Sequence, residues 1–467
     1  MRRTGSCGIV SALSALLCAA CSGVQGVDHD AADASRAQPA LHVQATAAGA
    51  REHPAAVLPA TPAPATASPR KMHLVSSQAT FRKLSGLAAA RGLHRDASGT
   101  DLVVSEVDAT RLDDVAGIVH RTERRCGGFF AFDTRAEAEA FLRSDRSAQA
   151  IAATVASYTL DNRTTVDHWL PQVREARIRD TIAHLSDYQN RYFASPTGKA
   201  AAEWIHDHWA ALAAGRGDVT TELFTACAGC STQPSVILTI EGTTLRDEVV
   251  VLGAHLDSIN INGGGSPGQA APGADDDASG IAVLTETLRI ALASGWRPRR
   301  TVKFMGYAAE EVGLRGSNAI AQAYRGAGVD VVAVLQVDMT NYKAGPVQDM
   351  KLITDYSNAA LQVLFQQLFD TYLAPMGYTR GTYTCGYGCS DHASWTNAGY
   401  PAAMMFEAGD PDGAFPYIHT TGDTLAMMGN TAQPSVKFAQ FALAFLGETA
   451  KTRAMHTGGP LLPVAAP

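Results

Sequence analysis

Long apolar runs are missing. Outside an N-terminal stretch, none reaches the roughly 18–20 residues that a helix needs to cross a bilayer, so no transmembrane span is expected. Basic charge is also short: 38 Lys and Arg stand against 45 Asp and Glu, for a net charge of −7 and a pI near 6.0. That balance disfavours nucleic acid or an anionic membrane surface as partner. Several catalytic signatures are lacking. There is no H-E-x-x-H, which disfavours a thermolysin-like zinc helix. There is no G-x-S-x-G, which argues against the serine nucleophile of an α/β-hydrolase. Gly263-Gly264-Gly265 lacks the Lys-Ser/Thr of a phosphate-binding loop. No internal repeat is visible. Cysteine is sparse, with eight in 467 residues. Cys7, Cys18 and Cys21 lie near the N-terminus and Cys126 stands alone, which leaves two close pairs, Cys227/Cys230 and Cys385/Cys389. Each pair suits a metal clip, a redox centre or a structural disulfide, and export favours the disulfide.

What is present suffices for a sizeable core. Hydrophobic residues make up 46% and charged ones 18% of the chain, and its length suggests two or three segments. Residues 1–22 read as an export signal: Arg2 and Arg3 give a basic start, and an apolar stretch over 9–20 follows. Leu17-Cys18-Ala19-Ala20-Cys21 also resembles a lipoprotein processing site, although Cys18 stands where leucine is usual. The expected location is extracellular, with an outer-membrane form lipidated at Cys21 as the alternative. Residues 23–70 form an Ala/Pro-rich linker without periodicity. Residues 71–147 alternate helical and strand patterns, with helices expected over 81–91, 109–119 and 136–143 and strands over 101–107 and 129–132. That is a small α+β domain with no catalytic cluster of its own. Residues 148–165 read as a linker and processing region, and 453–467 as a frayed tail.

The main domain is expected over 166–452. Buried apolar strands over 249–253, 302–307 and 331–337 alternate with helices. This pattern predicts an α/β fold whose mixed, largely parallel central sheet is sandwiched by helices. Polar residues that carry chemistry fall at the ends of those strands. His255 lies in A-H-L-D-S, Asp276 in A-D-D-D-A-S-G, Glu310 and Glu311 in Y-A-A-E-E-V-G, Asp338 after the 331–337 strand, and His419 in Y-I-H-T-T-G-D. Imidazoles and carboxylates beyond strand ends are what a hydrolytic metal site requires. Two histidines and three carboxylates exceed one catalytic zinc. Two metals roughly 3.5 Å apart would use them all if one carboxylate bridges, and Asp276 is central. Glu310 is then free to act as general base. Each residue singly has an ordinary structural reading: acidic loops mostly bind solvent, and Asp277 or Ser279 could simply cap a helix. Their joint occurrence at strand ends favours the metal. His206, His208 and His392 keep structural readings.

With G-A-H-L-D-S, A-P-G-A-D-D-D-A-S-G-I-A, Y-A-A-E-E-V-G-L-R-G-S, L-Q-V-D-M-T-N-Y-K, C-G-Y-G-C-S-D-H-A-S-W and I-H-T-T-G-D-T-L-A, the chain closely resembles the bacterial secreted leucyl aminopeptidases, co-catalytic di-zinc exopeptidases of the Vibrio type. The resemblance runs from Trp169 to Thr449. It implies one zinc on His255 and Asp338, a second on Glu311 and His419, and Asp276 bridging. It implies Glu310 as base, Asp257 orienting the first imidazole, Tyr387 at the substrate, and a Cys385–Cys389 disulfide. Met339, Ile353, Met404, Phe406 and Ile418 would line an apolar pocket. The 71–147 segment would be a propeptide. The segment 408–416 departs from the family pattern, and Cys227/Cys230 has no counterpart there. The implied enzyme is a monomer that removes hydrophobic residues from peptides with a free N-terminus. Rival readings are a carboxypeptidase or glutaminyl-cyclase-like transferase on the same scaffold, and a non-catalytic binding ectodomain.

Overall fold

A computed structural model describes residues 70–123, 127–153, 158–343, 345, 348–407 and 415–452. The export signal with Cys21, residues 23–69 of the Ala/Pro-rich linker, Cys126 and the C-terminal tail lie outside the described residues, as do residues 408–414 of the segment 408–416.

The N-terminal part runs β1 (Lys71–Ser77), α1 (Gln78–Leu84), β2 (Ala89–Arg95), β3 (Asp101–Asp108), α2 (Leu112–Glu123), β4 (Phe129–Phe132), α3 (Arg135–Ser144) and α4 (Ser147–Ala152). Its four strands form one antiparallel sheet in the order β2-β3-β1-β4. The expected helix over 81–91 is a correction: the helix stops at Leu84, and Ala89 onward turns into an edge strand. All but one of the seven β2 residues are exposed, so the segment has no buried face to mark its period. Pairing with β3 decides its form instead. Residues 148–165 also hold more order than a linker pattern suggests, since α4 and the start of α5 fall there.

The larger part contains α5 (Arg163–Trp169), α6 (Glu175–Ser186), α7 (Pro196–Leu212), β5 (Val219–Phe224), β6 (Ser235–Ile240), β7 (Leu245–His255), α8 (Ala278–Ala293), β8 (Arg300–Tyr307), α9 (Arg315–Gly326), β9 (Asp330–Val337), β10 (Met350–Ile353), α10 (Ala359–Leu368), β11 (Arg380–Tyr383), α11 (His392–Asn397), β12 (Ala402–Glu407) and α12 (Gln433–Ala450). The eight strands line up as β11-β10-β12-β9-β7-β8-β6-β5. The central pairs β7/β8, β7/β9 and β9/β12 are parallel, and antiparallel pairs occur on either side. This is the mixed α/β architecture the apolar strand runs predict. Helices α8 and α12 are buried along nearly their whole length, because they fill the core against the sheet. Gly253 on β7 is required by close approach: a Cβ there would collide with the Tyr307 ring. Among the described residues, no helix is long and apolar enough to cross a membrane.

Candidate functional site

Strands β8 and β9 flank β7 in parallel, so the C-terminal ends of all three open onto one edge of the sheet. That is where open α/β sheets hold their ligands. β7 ends in His255, β8 ends at Tyr307 shortly before Glu310 and Glu311, and β9 ends just before Asp338. The connection into α8 supplies Asp276, and the turn after β12 supplies His419. None of these six side chains is more than 3% exposed.

Asp276 stands between the two imidazoles. Its Oδ1 lies 2.8 Å from His255 Nε2 and its Oδ2 lies 2.8 Å from His419 Nε2. His419 Nε2 is also 2.8 Å from Glu311 Oε2, and His255 Nε2 is 3.6 Å from Asp338 Oδ1. Candidate ligand atoms of His255, Asp276 and Glu311 fall within 4.8 Å of one another, as do those of His255, Asp277 and Asp338. Both Glu310 oxygens and Asp338 Oδ1 are buried without a hydrogen-bond donor. Buried anionic oxygens in that condition are unfavourable unless a cation meets them. Imidazole with carboxylate is a donor set suited to zinc, so the residues fit the metal that the sequence implies.

A second ring of carboxylates ties the strand-end loops together through backbone N–H groups. Asp257 accepts from Glu310 N at 3.0 Å and Glu311 N at 3.2 Å, while its Oδ1 lies 3.4 Å from His255 Nδ1. Asp277 caps α8 through Gly280 N at 2.8 Å and also accepts from His255 N at 3.2 Å and Met339 N at 3.1 Å. Asp423 accepts from Asp275 N at 2.8 Å and Asp276 N at 3.1 Å. Ser390 Oγ donates to Asp338 Oδ2 at 2.6 Å. These bonds hold backbone that is itself unusual: Ala309, Met339 and His419 have φ of +55°, +55° and +56°. Left-handed non-glycine residues concentrate at functional sites because the surroundings must enforce them. Sequence reasoning missed Asp423 and Ser390, although both sit inside the quoted motifs. The signal was their spacing from His419 and from the cysteine pair.

The cluster's electrostatics follow from burial of many charges in one place. Burial raises the Glu310 carboxyl well above its ordinary value, with Asp391, Glu311 and Asp338 adding to the rise and His255 opposing it. Burial likewise pushes Glu311 up to about 8, reinforced by Asp276. Asp276 goes the other way: burial opposes its charge, but hydrogen bonds from His255 and His419 hold it well below the usual carboxylate range. Burial would lower both imidazoles, yet Asp338 for His255 and Glu311 for His419 lead the anions that hold them well above it. Strongly perturbed groups gathered in one place are typical of reactive centres.

The apolar residues expected to line a pocket divide. Ile353, Met404 and Phe406 gather with Cys385 and Cys389 in one small cluster. Met339 and Ile418 belong instead to the main core. Tyr387 is buried, with ring centroids 5.9 Å from Phe130 and 5.0 Å from Tyr356. Both close cysteine pairs, Cys227–Cys230 and Cys385–Cys389, are disulfide-bonded. His208 stacks on Trp204, and His392 is buried near Asp355.

The N-terminal part reaches the same region. His120 on α2 places its ring 5.1 Å from that of His419. Gly128 N donates to Gly388 O at 2.7 Å, and Ala131 N on the β4 edge donates to Gly313 O at 3.2 Å. Asp113 on α2 accepts from Tyr192 Oη at 3.2 Å.

Residues 235–443 match the sequence profile of peptidase family M28. A probable leucine aminopeptidase of Arthroderma otae is 37% identical over 290 residues, which cover 59% of this chain and 75% of the relative. Leucine aminopeptidase 1 of Coccidioides posadasii is 36% identical over 296 residues, covering 60% and 72%. Among solved structures, the LapA aminopeptidase of Legionella pneumophila superimposes with a TM-score of 0.69 at 27% identity, over 82% of this chain and 99% of that one. Legionella LapB gives 0.68 at 26% identity, over 81% and 99%. Shared sequence over most of a relative's length, together with the shared fold and the strand-end cluster, places this chain in peptidase family M28.

Proposed function

We propose that the protein is an exported, monomeric di-zinc aminopeptidase that removes N-terminal, preferably hydrophobic, residues from peptides. The observation that carries this reading is Asp276 held at 2.8 Å from each of two imidazoles, with Glu311 and Asp338 beside them. His255 and Asp338 would hold one zinc, Glu311 and His419 the other, and Asp276 both. Zinc ions bound there would acidify a shared water and polarise the scissile carbonyl. Glu310, anchored through its own N–H on Asp257, takes the proton of the attacking water and returns it to the leaving amine. Asp257 Oδ1 also lies 3.4 Å from His255 Nδ1, placed to favour the tautomer whose Nε2 faces the cluster. The dense carboxylates favour a charged α-amine at the same spot, which selects exopeptidase over endopeptidase action. Ile353, Met404 and Phe406 offer the apolar wall for the first side chain, with Tyr387 beside the reacting carbonyl. Two disulfides and the basic-then-apolar N-terminus support export.

The N-terminal domain is proposed to restrain the enzyme until it is released, since His120 lies against His419, and Gly128 and Ala131 donate to the Gly388 and Gly313 carbonyls of the larger part. The test is turnover of Leu-p-nitroanilide together with zinc analysis on the same sample. About two zinc ions per chain and chelator-sensitive turnover are expected. Activity confined to C-terminal residues or to Gln-initial peptides would replace this reading with one of its di-zinc rivals. A metal-free, inactive chain would favour a binding domain.

A further inference from the structure

Arg191 lies in the segment between α6 and α7 and is 0% exposed, a state arginine almost never adopts without partners. Its guanidinium donates to backbone carbonyls. Nε reaches Leu256 O at 3.0 Å, and Nη1 reaches Pro272 O at 2.6 Å and Leu185 O at 3.2 Å. Nη2 reaches Gly273 O at 2.8 Å and Asp276 O at 3.5 Å. Its own backbone N–H donates to Ser258 Oγ at 2.9 Å, and Ser258 Oγ donates onward to Ala271 O at 2.8 Å. Leu256 is the residue between His255 and Asp257, and Gly273 precedes the Asp275–Asp277 run. One side chain therefore ties the backbone beside His255 to the backbone beside Asp276, the two residues whose side chains meet at 2.8 Å. The loop closes tightly here: a Cβ on Gly273, whose φ is +56°, would sit 2.5 Å from Asp276 O, 2.6 Å from Ser258 Cβ and 2.8 Å from Arg191 Nη2. Burial disfavours the cation, and Asp423, Asp277, Asp257 and Asp276 offset that through their charge.

We propose that Arg191 is a positioning residue that assembles the His255 and Asp276 loops in ligating register before metal arrives. The inference rests on the reading of this cluster as a zinc centre. A planar fork serving several carbonyls at once is a role lysine cannot fill. In the full-length chain, Arg191→Lys is expected to weaken zinc affinity at least ~10-fold in chelator competition. It should also shrink the zinc-induced rise in Tm, which reports binding to the folded state alone. Glu448→Gln is the control for plain destabilisation. Glu448 is buried near the opposite strand ends, where it accepts from Asp161 N, Asn162 N and Tyr372 Oη. That variant should lower Tm with and without zinc and leave affinity unchanged. Wild-type zinc affinity in Arg191→Lys would overturn the proposal even if its Tm fell. A second measurement needs no variant: in the zinc-free wild-type chain, amides of 255–258 and 273–277 should resist hydrogen exchange as strongly as β7 and β8. Fast exchange there, slowed only by zinc, would also overturn it. A wild-type chain that takes up no zinc at all would remove the metal reading first, and this inference with it.

Discussion

Glu310 and Glu311 are neighbours with different surroundings. Glu311 Oε2 lies 2.8 Å from His419 Nε2, whereas among the described residues Glu310 pairs with no imidazole, although the oxygens of both glutamates are buried without a hydrogen-bond donor. Glu310→Gln keeps shape and burial but removes the basic oxygen. It is expected to retain metal and to lower kcat at least ~10²-fold, read from steady-state kinetics on samples of measured zinc content. Asp276→Ala is expected to lose both metals together, because one carboxylate faces both imidazoles. Retention of one zinc per chain would contradict the shared role. At this scale most of the cluster was legible, since ligand types stood in strand-end motifs. Arg191 was not. A lone arginine in an Asn-Arg-Tyr run carries no spacing signal, and its role exists only where the chain folds back on Leu256 and Gly273.

Elements show where local pattern suffices and where it fails. β7, β8 and β9 are mostly apolar along their buried lengths, with His255 and Gln336 as buried polar residues near the ends of β7 and β9, and read as strands at once. β2 is exposed and its composition suits a helix as well, so pairing with β3 decides it. Helix α2 has a feature visible only in the fold: Asp113 is buried against Tyr192, near Gly265 and Gln269. Burial pushes its carboxyl up to about 6, with Asp114 adding slightly and the hydrogen bonds opposing. A carboxyl raised on folding stabilises the folded state fully below its unfolded pKa of roughly 4. That contribution is lost as pH rises through about 6. Docking of α2 should therefore be tighter at pH 4.5 than at pH 8. Asp113→Asn is expected to raise Tm at pH 8 by about 2 °C or more and to change it little at pH 4.5, measured by calorimetry of the full chain.

For the whole molecule, the question is what the N-terminal sheet does over the strand-end cluster. Gly127 has a φ of +55°, and a Cβ there would lie 2.7 Å from Gly388 O, so the backbones meet too closely for any side chain. Gly127→Val is expected to loosen this domain without touching the cluster. If the domain restrains the enzyme, kcat/KM of the intact chain on a leucyl substrate should rise several-fold. Unchanged kcat/KM in a variant whose N-terminal domain has become protease-sensitive would argue against restraint.

The sequence by itself determined the α/β class, the parallel core strands and which imidazoles and carboxylates fall at the strand ends. Buried strands must be continuously apolar, and ligands must be imidazole or carboxylate. Tertiary structure alone decided that Asp276 lies between both imidazoles and that Asp257, Asp277 and Asp423 lock neighbouring loops through backbone N–H groups. It also decided that Arg191 spans two of those loops and that His120 faces His419. Each of these joins residues far apart in the chain, and their distances are set by how the loops close over the sheet edge, which no local pattern encodes.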